Sequence, residues 1–176
     1  MNLNLLSPRN KNEQLSSIFN ELPISPILEM GAYEYLWSQT GITFKRLSDI
    51  FKENPNSLPS DFVEEDIARE TADKVLDIFK ESGIMNFGLR IFGTNQYPQQ
   101  LRDAINPIEL LYFLGTWELA DAKSSVAIVG SRKASEEGMR RARKLAAHLA
   151  KNDITVVSGL AEGIDTGTYR SIISWR

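Results

Sequence analysis

Apolar residues in the first half of the chain recur at the spacing of α-helices. These stripes predict helices near residues 15–22, 27–38 and 44–51, separated by proline-containing breaks. The longest stripe predicts a helix from Asp61 to Glu81 with Ser60 as its N-cap. The other face of that helix carries eight carboxylates against three basic groups, so it would repel DNA. The pattern predicts a small all-helical domain over residues 1–84.

The pattern changes after Gly83, where short apolar runs bounded by glycine indicate strands. These runs lie at residues 89–92, 108–114, 125–130 and 154–159, and helical stretches lie at 99–104 and 135–151. The third and fourth runs are continuously apolar, which is typical of parallel strands buried on both faces. A strand, a helix and a parallel strand in succession predict an α/β fold with a partial Rossmann-like parallel sheet over residues 85–176.

Composition limits the chemistry that the chain can perform. It has no cysteine and one histidine, so disulfides are excluded, and neither a metal nor another cofactor is expected. No apolar run reaches the roughly 18 residues of a membrane span, and the start lacks a secretory signal, so a cytoplasmic protein is expected. The net charge of -3 hides an asymmetry, because residues 123–151 carry +6 and the remainder -9. That local field favours a polyanionic partner.

The first candidate site is the turn that follows the third strand. Gly130 allows a sharp turn and a close approach of a ligand to the backbone. The predicted helix start at Ser135 leaves unpaired amide donors beside that turn, and Arg132 adds a forked, permanently charged donor suited to phosphate. The alternative is that Gly130 only shapes a tight turn and that Arg132 is a solvated side chain.

A second glycine turn follows the fourth strand, at Ser158, Gly159 and Gly163. Because parallel strands end at the same edge of a sheet, both turns should face one crevice and form a phosphate cradle. Asp165 could cap the next helix, bind Arg132 or hold a sugar hydroxyl.

Other side chains could extend such a cradle. Arg140 and Lys144 lie away from the apolar stripe of their predicted helix, where they could contact further phosphates or simply form a solvated face. Trp117 could stack on a nucleic-acid base, whereas apolar neighbours favour core positions for Trp37 and Tyr112.

The familiar signatures of nucleotide-dependent enzymes are missing from the sequence. Neither G-x-G-x-x-G nor G-x-x-x-x-G-K-[ST] occurs, and no Ser/His/Asp or Cys/His set can be assembled. A catalytic interpretation would depend on Ser158, Glu162 or Asp165, and no pattern pairs them. Binding is therefore expected rather than catalysis.

From about Phe92 onward the chain resembles the DNA processing protein A (DprA/Smf) family over about 85 residues. Two departures stand out, because Tyr169 occupies a position where the family usually has histidine, and the chain ends at Arg176. The family's later strands and dimerisation surface lie beyond that point, so a fragment or a natural truncation is expected. The matching segments are Tyr97-Pro98-x-x-Leu101, Pro107-x-x-Leu110-Leu111-Tyr112-x-x-Gly115, Ala127–Arg132, Ser135-x-x-Gly138 and Ser158–Asp165.

The resemblance implies binding of single-stranded DNA without base specificity, and a role in natural transformation and recombination that includes loading the RecA recombinase. The alternative function is a sensor of a nucleotide or nucleotide-derived ligand that uses the same cradle. A nucleotide phosphoribohydrolase is disfavoured because its P-G-G-x-G-T-x-x-E loop is missing. The residues expected to contact phosphate are Gly130, Ser131, Arg132, Lys133, Ser135, Ser158, Gly159 and Gly163.

Overall fold

The computed structural model describes residues 24–102 and 104–173. The chain divides into two compact units, Met1–Trp117 and Glu118–Arg176. The helix predicted near residues 15–22 lies outside the described residues. The elements of the first unit are α1 (Pro26–Ser38), α2 (Phe44–Glu53), α3 (Glu65–Glu81), β1 (Gly88–Ile91), α4 (Gln99–Arg102) and β2 (Leu110–Phe113). Those of the second are β3 (Ser125–Ala127), α5 (Glu136–Lys151), β4 (Thr155–Val157) and α6 (Ile164–Ile173).

The core of the first unit forms where α1 packs on α3 and on the β1–β2 hairpin. The two strands are antiparallel and pair Ile91 with Leu110, whose side chains are both buried in the helical core. Burial of large apolar side chains provides most of the stabilising free energy of such a core. Contributors outside the hairpin include Met30, Leu36, Leu47, Phe51, Phe62 and Ala72.

The hairpin therefore packs with the preceding helices, although the sequence places it after the predicted boundary between residues 84 and 85. The Tyr112 hydroxyl donates to the Glu34 carboxylate at 2.6 Å, which ties β2 to α1. Burial and this carboxylate raise the pKa of Tyr112. Trp37 and Tyr112 both pack against the core, as predicted. The boundary at 84/85 remains a prediction.

The predicted start of the longest helix is wrong. Helix α3 begins at Glu65, after a short 3-10 turn over Pro59–Asp61. Ser60 does not cap the helix, because its amide and hydroxyl donate to the buried Glu29 carboxylate at 2.8 and 2.7 Å. The physical reason is the burial of Glu29 on α1, whose carboxylate takes both donors of Ser60.

Helices α1 and α3 approach most closely at Gly31, and an alanine there should destabilise the first unit. An added Cβ would strike the backbone carbonyl of Ala68 and lie 2.9 Å from the Ala72 Cβ. We expect Gly31→Ala to lower the free energy of unfolding by about 2 kcal/mol, because overpacking outweighs the gain in helix propensity. Urea denaturation followed by tryptophan fluorescence would measure this loss, and unchanged stability would contradict the close approach of the helices.

The second unit is a parallel β–α–β arrangement with a further helix. Strands β3 and β4 pair in parallel, with Val126 opposite Val156, and α5 packs on β4 and α6. The sequence predicted that this sheet is buried on both faces, and that prediction is wrong for the described residues. Every residue of β3 is exposed. Of the residues next to this strand only Ile128 is buried, with 7% of its surface exposed. The reason is that one described helix, α5, packs on β4, whereas α6 makes its main contacts with α5.

Candidate phosphate-binding edge of the parallel sheet

The turn after β3 leads directly into α5, as the sequence predicts. Ser135 caps the helix, and its hydroxyl accepts a hydrogen bond from the Gly138 amide at 3.1 Å. The Ser131 hydroxyl accepts from the Lys133 amide at 3.1 Å, which gives the turn a defined shape. The loop is therefore held by its own side chains up to the first turn of the helix.

The turn after β4 is held by the side chain of Ser158, which the sequence predicted to contact phosphate, and by that of Asp165, whose role the sequence left open. The Ser158 hydroxyl donates to the carbonyl of Ile128 at 2.9 Å and so links the ends of the two strands. The buried carboxylate of Asp165 accepts from the Gly159 amide at 3.1 Å. Asp165 thus closes its own loop, and the N-cap role favoured for it is wrong because it lies inside the first turn of α6. Both polar groups are used structurally.

The two glycine turns lie in direct contact. The Ile164 amide at the start of α6 donates to the Ser131 carbonyl at 3.3 Å. Gly163 has a φ of 85°, and an added Cβ would lie 2.7 Å from the Arg132 carbonyl oxygen and closer still to that of Ser131. Gly130 also lies close to the second turn, because an added Cβ would lie 2.7 Å from Cγ1 of the Ile164 side chain. The expectation that both turns meet at one edge is confirmed.

Unpaired donors line the first of these turns. Within the described part of the chain, the amides of Gly130, Ser131 and Arg132 donate to no protein acceptor. The side chains of Arg132 and Lys133 are exposed, and neither has a hydrogen bond or ion pair with a described residue. Amides at a turn beside a helix start, together with a free guanidinium, can bind a phosphate oxygen.

The basic face of α5 is partly neutralised by the helix itself. The Glu137 carboxylate accepts hydrogen bonds from Nε and Nη2 of Arg140, both at 2.8 Å, and from Nε of Arg141 at 2.7 Å. These two cations hold the pKa of Glu137 below its usual value, and Glu137 in turn raises that of Arg140. Lys144 is exposed and has no such partner among the described residues. Of the two predicted secondary contacts, only Arg140 would have to leave a carboxylate before reaching phosphate.

An aromatic arrangement in the first unit was not predicted. The Arg90 guanidinium lies 4.6 Å from the ring centroids of both Phe113 and Trp117. One face of Trp117, which the sequence left open as a base-stacking platform, is therefore covered by a cation. No local pattern indicates this contact, since Arg90 and Trp117 lie on opposite sides of the hairpin connection.

This architecture defines an α/β protein built on a parallel β–α–β unit with two adjoining glycine turns. Residues 88–174 match the family model for DNA recombination-mediator protein A. Protein Smf of Borreliella burgdorferi is 36% identical over 85 residues, which are 48% of this chain and 26% of that protein. DNA processing protein DprA of Streptococcus pneumoniae is 35% identical over 77 residues, which are 44% and 27% of the two chains.

Residues 88–174 are therefore similar to the DprA/Smf family. It spans about a quarter of the length of these two relatives. A solved structure of Helicobacter pylori DNA processing protein A, described for its mode of binding single-stranded DNA, is 28% identical, with a TM-score of 0.45. That match covers 50% of this chain and 39% of the other. Among the described residues, no helix has the length and apolar character needed to cross a membrane.

Proposed function

We propose that the edge formed by the two glycine turns binds the phosphates of single-stranded DNA without reading the bases. The observation that carries this proposal is the contact of Gly163 with the Ser131–Arg132 backbone, beside the exposed and unpaired Arg132 side chain. The +6 charge of residues 123–151 and the similarity of residues 88–174 to the DprA/Smf family support it. Phosphate contacts give sequence-tolerant affinity.

On this proposal the protein acts in DNA processing, natural transformation and recombination, as a cytoplasmic binding protein rather than an enzyme. The proposed partners are single-stranded DNA and a RecA-type recombinase. The hydrogen bonds of Ser158 and Asp165 within the loop support the non-catalytic assignment, because neither group is held as a nucleophile or base. Faster assembly of the recombinase on oligonucleotides coated with this protein would test the partner.

Arg132→Ala should weaken DNA binding and its dependence on salt. Loss of one charge-assisted contact should reduce affinity about tenfold. It should also lower the slope of log affinity against log salt by about 1. Fluorescence anisotropy with mixed-sequence oligonucleotides at several salt concentrations measures both quantities. Arg69→Ala is the matched control, since Arg69 is an exposed arginine that is ion-paired with Glu65 on α3.

Two results would contradict the proposal. One is an affinity that does not depend on salt, and the other is an equal effect of Arg132→Ala and Arg69→Ala. The alternative of a nucleotide sensor is distinguished by calorimetry with a deoxynucleoside monophosphate. Saturable binding of that small ligand, without a gain in affinity for longer oligonucleotides, would favour the sensor.

Glu137→Gln should strengthen DNA binding if the α5 face extends the site. The substitution removes a negative charge and releases Arg140 and Arg141 from their shared carboxylate. We expect affinity to rise about threefold at low salt and the gain to shrink as salt screens the surface. Glu70→Gln is the control, because it breaks a comparable exposed pair with Lys74 on α3. Equal affinity of Glu137→Gln and the parent protein would restrict the site to the two turns.

A further inference from the structure

The first unit contains a cavity that the proposed DNA-binding edge does not use. It has a volume of about 360 Å³ and lies between the end of α2, the loop that follows it and the segments beside β1 and β2. This size is typical of pockets for small molecules. Its walls are largely apolar and include Phe51, Leu58, Phe92 and Pro107.

One acidic residue, Glu109, lines this cavity. Glu109 is 6% exposed, and its carboxylate has no hydrogen bond or ion pair within the described part of the chain. Only its backbone carbonyl is engaged, accepting from the Phe92 amide at 2.8 Å. The carboxylate oxygens are not among the fully enclosed polar atoms without a partner, so solvent or a ligand can reach them. An acid on a largely buried residue with no protein donor is nevertheless unusual for a purely structural role.

Charged and titratable groups near Glu109 make other contacts, although the buried Nε of Arg102 has no partner. Lys52 at the cavity donates to Asn106 at 2.7 Å, and Arg102 donates to the Thr94 carbonyl at 2.6 Å. The Tyr97 hydroxyl donates to the carbonyl of Ile108 at 2.9 Å. Burial, with a further contribution from the Glu109 charge, raises the pKa values of Tyr33 and Tyr97. These tyrosines therefore remain neutral and cannot balance the carboxylate.

We propose that this cavity binds a small organic monocation whose charged group is an ammonium, amidinium or guanidinium on an apolar body. The cationic N–H donors would meet the Glu109 carboxylate, and the body would lie against Phe51, Phe92 and Pro107. Such a ligand supplies both the charge and the hydrogen bonds that the protein withholds from Glu109. The proposal concerns the first unit and does not depend on DNA binding.

Benzamidine and its neutral isostere benzamide test this proposal on the full chain. Calorimetry at pH 8 should show saturable binding of benzamidine at least ten times tighter than that of benzamide. Glu109→Gln should abolish the preference, while Glu53→Gln, an exposed substitution at the end of α2, should leave it unchanged. Equal binding of the two probes, no benzamidine binding, or an unchanged preference in Glu109→Gln would overturn it.

A second measurement uses the unaltered protein, so its outcome does not depend on whether Glu109→Gln folds. Burial raises the pKa of Glu109 to about 7, so a proton competes with the cation in weakly acidic solution. Benzamidine affinity should therefore fall by up to about tenfold for each pH unit below 7, with proton release on binding. Calorimetry at pH 6 in two buffers of different ionisation enthalpy detects that proton. Binding without proton release would contradict the assignment to Glu109.

Discussion

Gly163→Ala is expected to lower the free energy of unfolding of the second unit by about 3 kcal/mol and to remove most of its DNA binding. Two costs add at this position. A φ of 85° is unfavourable for alanine by about 1–2 kcal/mol. The new Cβ would also strike the carbonyl oxygens of Ser131 and Arg132, which are backbone atoms and cannot rotate away. Relief of that clash must separate the two turns.

Gly93→Ala separates these two costs. Gly93 has a φ of 84°, and an added Cβ there would meet no other atom within 4 Å, so only the backbone conformation is penalised. Amide hydrogen exchange would report the stability of β4 and α5 in Gly163→Ala and of the β1–β2 hairpin in Gly93→Ala. Oligonucleotide anisotropy would report binding. A loss of stability no larger in Gly163→Ala than in Gly93→Ala would show that the turns are not in tight contact.

The helices were predictable from sequence because the contacts that determine them are local. The stripes over residues 27–38 and 44–51 correspond to α1 and α2, and the Ser135 cap of α5 is confirmed. The meeting of the two glycine turns was also predictable, because parallel pairing of β3 and β4 places both carboxyl ends at one edge. Backbone topology alone therefore brings Ser131 and Gly163 together.

Side-chain contacts between segments that are distant in sequence were not predictable. Ser60 has the right type and position for an N-cap, yet a carboxylate 31 residues away takes its donors. The continuous apolar run of β3 does not reveal whether one or both faces are covered, since that depends on other elements. Glu109 looks like an ordinary polar residue before a strand, and only packing shows that it is buried without a partner.

Burial of Glu109 should make the stability of the first unit depend on pH. Its pKa is raised from 4.5 to about 7, so the folded protein holds a proton that the unfolded chain has already lost between these values. Stability should therefore fall as pH rises through this window, by about 3 kcal/mol once pH 8 is reached. A bound cation would oppose the loss, because it stabilises the ionised carboxylate.

Glu109→Gln should remove this pH dependence. Glutamine is close in shape to the protonated acid, so the variant and the parent protein should be almost equally stable at pH 4. At pH 8 the variant should be more stable by up to about 3 kcal/mol, because it never carries the buried charge. Urea denaturation followed by tryptophan fluorescence between pH 4 and pH 8 measures the difference, with the exposed Glu53→Gln as control. A difference that stays constant across this range would mean that the Glu109 carboxylate is solvated, and the case for a cation in the cavity would fail with it.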